Sequence, residues 1–358
     1  MRDFLKRRSG VILLILSFIV SLLLLEAGVR MFLPETPFHG GYQINSAEET
    51  QEALRIAREK PEDSAVPVRI PMRNRKLHEK LSEREEYYRS LAVRWGDIDT
   101  NETKILVIGD SHVQLGGSSD DGWWYDYIEK SIPETEVFAI GSSGSGTTQE
   151  YLLLNQSIDI IDPDIVLWQF CQNDYRNDAY SMNRARWPLT RGWIKPYLID
   201  GEIQYRSPSP LINLRTSWKT IDFLVSKYQL VTLQEKRKDR NSMLWRLAET
   251  HFIEEGSTPE FEKTERMIER AISTSRENEA RFILLKINGP RVGRYYYALC
   301  DRINATCWND IDDYVVKAGN RMRVPVDRGD GHWSAEGNKL GGQYIADKLE
   351  KIVDARRG

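Results

Sequence analysis

Hydrophobic residues along this chain fall into distinct patterns, and each predicts a different kind of element. From Val11 to Leu25 they run on as one apolar stretch. Further along they form short blocks rich in β-branched residues: Lys104 to Ile108, Glu136 to Ile140, Ile165 to Phe170 and Arg281 to Ile287. Blocks of that length, apolar on both faces, predict strands buried on both sides. Between them the apolar positions take helical spacing. Trp124, Tyr127 and Ile128 mark a helix over 120–131, and Tyr151, Leu152, Leu154 and Ile158 one over 149–160. Phe261, Ile268, Ala271 and Ile272 mark a third up to about Glu277, a fourth spans Arg294 to Ile303, and Leu340, Tyr344, Ile345 and Leu349 mark a last one from Ala335 to Val353. Strand and helix alternate in units of about 30 residues, which predicts an α/β domain of three layers, a central parallel sheet with helices on both faces. Such a sheet gathers its functional loops at one rim.

The amino terminus stands apart. Arg2, Lys6, Arg7 and Arg8 precede the apolar run, and Ala27 to Val29 extend it toward the roughly 20 residues a membrane span requires. The chain therefore divides into a cytoplasmic tail over 1–9, a transmembrane signal-anchor over 10–32, a spacer over 33–100 and the catalytic domain over 101–356. The basic flank keeps the tail inside and puts the domain outside the cytoplasm, on a single-pass anchor. A cleaved signal peptide, leaving a secreted or periplasmic protein, is the alternative. The spacer is polar, is interrupted by Pro34, Pro37, Pro61, Pro67 and Pro71, and carries one expected helical piece from Leu77 to Val93. An insertion over about 176–256 holds Trp187, Trp193, Trp218 and Trp245 and the basic cluster Lys236, Arg237, Lys238 and Arg240. It is expected to form a lid or substrate wall whose aromatic residues either stack on sugar rings or fill a small core.

Composition narrows the chemistry. A formal net charge of −3 and no concentrated basic face exclude a nucleic-acid partner. Hydrophobic residues at 41% suffice for a core. Of 3 cysteines, Cys300 and Cys307 are close enough to bridge in an oxidising compartment, while Cys171 is expected as a buried, inert thiol. Their spacing matches no zinc site. The glycine-rich turn from Gly141 to Gly146 lacks the lysine of a phosphate loop, and what its glycines permit is a backbone N–H aimed into a site.

Reactive groups collect where strands end. The first strand delivers Ser111 within Gly109-Asp110-Ser111-His112, the second runs into the glycine-rich turn, and the third ends at Cys171, Gln172, Asn173 and Asp174. Taken singly, Ser111 is an ordinary helix cap and Asn173 an ordinary turn residue. Among the 5 histidines, His39, His78 and His251 have no chemical neighbourhood, and His112 is expected to point away from the serine. His332 differs, because it lies just before the last helix with Asp330 and Asp327 upstream. An acid so placed can hold one ring nitrogen and leave the other for the serine.

These blocks, Gly109 to His112, Gly144, Asn173 and Asp330-Gly331-His332-Trp333, resemble in order and spacing the signature blocks of the SGNH/GDSL hydrolases, over residues 104 to about 353. The resemblance implies a flavodoxin-like three-layer fold and an acyl-serine mechanism without metal or cofactor. In it Ser111 is the nucleophile, His332 the general base and Asp330 the orienting acid, with Asp327 the other candidate. The N–H groups of Ser111 and Gly144 and the amide of Asn173 form the oxyanion hole. His112, where many members have leucine, is expected to carry no mechanistic weight, and Gly329 stands where the acid commonly lies. The function expected is that of a serine esterase acting on O-acyl, most simply O-acetyl, esters of carbohydrate or lipid. The alternatives are an O-acyltransferase of exopolysaccharide or cell wall, needing a membrane acyl-donor protein, and a non-catalytic binding protein that retained the fold.

Overall fold

The computed structural model describes residues 2–32, 92–94, 96–114, 122–141, 144–171, 173–180, 195–206, 214, 218, 220–221, 224, 259–287, 293–319 and 332–357. Helix α1 (Arg2–Phe32) takes up the amino-terminal apolar run. The domain follows as β1 (Ala92–Arg94), β2 (Thr103–Gly109), α2 (Ser111–Gln114), α3 (Trp124–Ser131), β3 (Thr135–Gly141), α4 (Thr147–Ile161), β4 (Ile165–Phe170) and α5 (Asp174–Asp178). A hairpin, β5 (Lys195–Ile199) and β6 (Glu202–Arg206), precedes α6 (Pro259–Glu277), β7 (Arg281–Lys286), α7 (Gly293–Arg302), β8 (Thr306–Trp308), α8 (Ile311–Lys317) and α9 (Ala335–Arg357).

The main sheet has the order β1-β3-β2-β4-β7-β8, with every pairing parallel except that of β1 with β3. Numbered among themselves, the parallel strands run 2-1-3-4-5, the flavodoxin-like arrangement. The alternation of strand side chains explains why β2 needs apolar residues throughout. Leu106 and Ile108 enter the core under α4, α6 and α7, while Ile105 and Val107 enter the one under α3, α8 and α9, all with no exposed surface. The expected three layers are therefore present. Between β2 and β3 the chain crosses on one face through α3, and from β3 to β4 it returns on the other through α4. The order reverses beside β2, and the crevice at that reversal opens at the carboxyl ends of β2, β3 and β4.

Several elements lie beyond the expected set. Ala92–Arg94 pair as a strand within the stretch read as spacer, so the helical piece expected from Leu77 to Val93 does not reach its last two residues; the remainder lies outside the described residues. Arg94 ties this edge strand to α3 through Asp126, at 2.9 Å, and Glu129. Strand β8 and helix α8 extend the sheet beyond β7. Within the insertion, Asp200-Gly201 closes β5 on β6 with φ of 53° and 85°, both in the left-handed region that a tight two-residue hairpin turn requires.

The expected bridge between Cys300 and Cys307 is present, with a Cα separation of 6.0 Å, and it joins α7 to β8 across a separation of 7 residues. Closing so short a loop constrains the unfolded chain by about 2 to 3 kcal/mol. Urea unfolding of Cys300→Ser/Cys307→Ser beside the parent is expected to show that loss, with Cys171 unreactive toward thiol reagents until the domain unfolds.

Candidate active site

Strand β2 ends on a glycine that its neighbours crowd closely. A Cβ on Gly109 would lie 2.4 Å from Gln169 Oε1 and 2.8 Å from Val113 Cγ2, so a larger residue would push α2 away from β4. The next residue, Asp110, has no exposed surface and is held at its backbone from two sides. Its N–H donates to Gln169 Oε1 at 3.1 Å, and its carbonyl accepts from Val113 N at 3.2 Å and Gln114 N at 3.1 Å. Helix α2 is thereby fixed to the strand tip with Ser111 at its head. Helix α3 fixes its other end: Trp124 Nε1 donates to the His112 carbonyl and Tyr125 OH to that of Val113, each at 3.1 Å.

The Asp110 carboxylate organises what surrounds the serine. Oδ1 accepts from the His112 backbone N–H at 2.9 Å, and Oδ2 from Asn173 Nδ2 at 2.8 Å, with Ser111 Oγ at 3.4 Å from the same oxygen. Asn173 arrives from the end of β4 as the residue before α5. Its amide is set at the other atom too, because the Cys171 thiol donates to Asn173 Oδ1 at 2.8 Å. Burial first, then the nearby Asp110 and Asp174 carboxyls, push that thiol's pKa well above its usual value, so it stays a donor. Cys171 thus touches the site, where the sequence predicts an inert thiol.

His332 comes from the opposite end of the chain. Its Nε2 lies 2.9 Å from Ser111 Oγ, and at 7% exposure the ring is nearly closed off from water. Trp333 anchors the loop: it is buried among the residues under α9 and donates Nε1 to Asp312 Oδ1 at 3.3 Å. Asn338 Nδ2 then holds the carbonyls of Trp333 and Ser334, and Ser334 Oγ accepts from Gly337 N at 3.1 Å at the start of α9. The His112 ring lies against that of His332, with centroids 4.3 Å apart and planes tilted by 41°. His112 therefore packs beside the His332 ring, a contact that the sequence does not reveal.

Ser111, Asn173 and His332 are therefore brought together. Gly144 sits beyond the tip of β3 with φ of 75°, a backbone turn suited to glycine. Asp330 and Asp327 lie outside the described residues. A hydroxyl within hydrogen-bond reach of an imidazole, beside a fixed amide donor, is an arrangement able to attack a carbonyl and hold the resulting oxyanion.

Beneath the site lies a buried group of acids that sequence reasoning missed. Glu150 accepts from Trp168 Nε1 at 2.9 Å and Ser145 Oγ at 3.3 Å. Asp174 Oδ2 accepts from Cys171 N at 2.6 Å, and Asp178 accepts from Thr148 N at 2.9 Å and from the Thr147 hydroxyl. Burial, with like charge from Asp110 and Asp178, raises the Glu150 pKa well above its usual value; burial, with Glu150 and Asp110, does the same for Asp174. Gln169, a polar residue inside the apolar block of β4, was the one visible signal that this rim carries buried polar work.

No protein-family model matches the chain, and no curated protein matches it. Among solved structures, it is similar to TesA at 12% identity, over 69% of this chain and 99% of that one, with a TM-score of 0.38. It is similar to a putative lipolytic protein of the G-D-S-L family from Desulfitobacterium hafniense DCB-2 at 12% identity, over 68% and 98% of the two chains, with a TM-score of 0.39. It is also similar to the psychrotrophic esterase EstA from Pseudoalteromonas sp. at 13% identity, over 71% and 100%, with a TM-score of 0.38. The likeness is distant, and the chemistry is read from this chain's own side chains.

A carboxyl whose folded pKa is raised keeps its proton while the unfolded chain loses one, so its contribution to stability falls as pH climbs above the ordinary carboxyl range. Glu150→Gln removes that ionisation and retains a hydrogen-bonding amide. The variant is expected to melt at a higher temperature than the parent near pH 8, with the difference closing toward about pH 4, as read by thermal denaturation across that range.

Proposed function

We propose that this chain is a serine esterase that hydrolyses O-acyl esters through an acyl-serine intermediate. The observation that carries the reading is the 2.9 Å contact between His332 Nε2 and Ser111 Oγ. As Ser111 Oγ bonds to the acyl carbonyl carbon, its proton passes to Nε2. The carbonyl oxygen becomes an oxyanion facing Asn173 Nδ2 and the backbone N–H groups of Ser111 and Gly144. Collapse of this adduct breaks the bond to the alcohol oxygen, which takes the proton from Nε2 and leaves. Water then attacks the acyl-serine with His332 again as base, and the carboxylic acid departs as the serine recovers its proton. Asp330 is assigned to the other ring nitrogen, with Asp327 as the second candidate.

The proposed setting is outside the cytoplasm on a membrane anchor, with carbohydrate or lipid esters as substrate. Support comes from the 19-residue stretch Leu13–Met31 of α1, whose mean hydropathy is 2.1, from the basic residues that precede it, and from the disulfide.

A fluorophosphonate is expected to label the detergent-solubilised full chain, and Ser111→Ala to abolish that labelling. On short-chain aryl esters, His332→Ala is expected to lower kcat at least about a thousandfold, and Asn173→Ala about 10²- to 10³-fold with KM little changed. Parent protein that neither labels nor turns over ester would leave only a binding fold. Acyl transfer to an added sugar in preference to water would make it a transferase.

A further inference from the structure

Helix α1 is open along most of its length and covered only near its end. Leu13, Leu14, Leu16 and Leu22 to Leu25 are all exposed, whereas Glu26 and Val29, one helical turn apart on a single face, are buried. What covers Glu26 is a piece of the insertion. Its Oε2 accepts from the backbone N–H of Thr220 at 2.8 Å, and its Oε1 from Arg30 Nε at 2.7 Å. A main-chain donor brings the insertion's backbone itself into contact with α1.

Trp218 N donates to the Leu214 carbonyl at 2.8 Å, a helical turn, and the apolar residues Leu214, Trp218, Ile221 and Leu224 recur at helical spacing. Leu214 is 47% exposed and Leu224 59%. Among the described residues, every leucine left so exposed lies either on α1 or in this segment. Lipid covers the first set if α1 spans the bilayer. The hydrogen bond to Glu26, within the last two turns of α1, sets the second near the outer end of the span.

We propose that Leu214, Trp218, Ile221 and Leu224 lie at the outer surface of the bilayer beside the outer end of α1, with Leu214 and Leu224 dipped into the lipid. The proposal rests on the reading of α1 as a membrane anchor. The insertion is then a second membrane contact rather than a free lid, and the domain is held against the bilayer. Because the insertion follows α5, whose preceding residue is Asn173, the membrane-held segment is continuous in chain with the oxyanion donor. That placement suits an ester presented at a lipid surface.

Spin labels at Leu214→Cys and Leu224→Cys test it in the full chain, reconstituted into phosphatidylcholine/phosphatidylglycerol vesicles. Cys171 is buried and Cys300 and Cys307 are bridged, so the new thiols take the label. Leu16→Cys on α1 serves as the lipid reference. Glu350→Cys, exposed on α9 in the opposite helical layer, serves as the water reference. Collision with oxygen, which concentrates in lipid, is compared with collision with a water-soluble nickel chelate. The expected result is an oxygen-dominated ratio at 214 and 224 that approaches the ratio at 16. Chelate-dominated ratios like that at 350 would overturn the proposal while leaving the anchor standing. Low collision with both reagents would overturn it too, by showing a protein neighbour there. A chelate-dominated ratio at 16 would remove the anchor reading and the proposal together.

Discussion

One buried carboxylate, that of Asp110, sets the geometry on which the site depends. A polar group without exposed surface must be met by hydrogen-bond partners, and those it meets are the His112 N–H at the head of α2 and the Asn173 amide. Satisfying that group therefore places the helix that bears Ser111 and the Asn173 amide relative to each other. The Asp110 backbone is fixed by Gln169 on the neighbouring strand, and Gln169 reaches it only because Gly109 has no side chain. Preorganisation here is a consequence of burying polar groups that cannot be left alone.

The same constraint extends inward. Glu150, Asp174 and Asp178 lie under the rim with donors of their own, and their crowding resists charge on Glu150 and Asp174. A layer of crowded, buried carboxyls below the site is costly to stability, as polar arrangements at working sites commonly are. Cys171 belongs to this layer: its thiol, kept protonated by burial, sets the orientation of the amide above it.

The base reaches the serine by a different route. His332 lies 221 positions along the chain from Ser111 and is placed by the packing of Trp333 and the capping of α9, an arrangement belonging to the opposite layer. The close approach of His112 to the same ring adds a wall from the nucleophile's own helix. Ser111 and His332 therefore meet at the sheet's rim although they are anchored in separate parts of the core.

The strand blocks, their parallel order and the residues gathered at one edge were legible in the amino-acid sequence, because burial on both faces demands continuous apolar runs and leaves the polar residues at their ends. Short or marginal elements were not. Strand β8 is too brief to show a period, and β1 exists only because β3 offers it an edge. The hairpin was readable in principle from Asp200-Gly201 but was obscured by its irregular surroundings. Pattern alone thus determined the layered architecture and the rim at which Ser111 and Asn173 stand, while their pairing with His332 as one site came from the family resemblance. Tertiary structure alone decided that His112 touches the base, that Cys171 and Asp110 hold the amide from its two ends, and that α1 meets the insertion. Hydrophobic periodicity records which side of an element faces the core, whereas a polar contact between distant residues leaves no period and exists only once packing has brought them together.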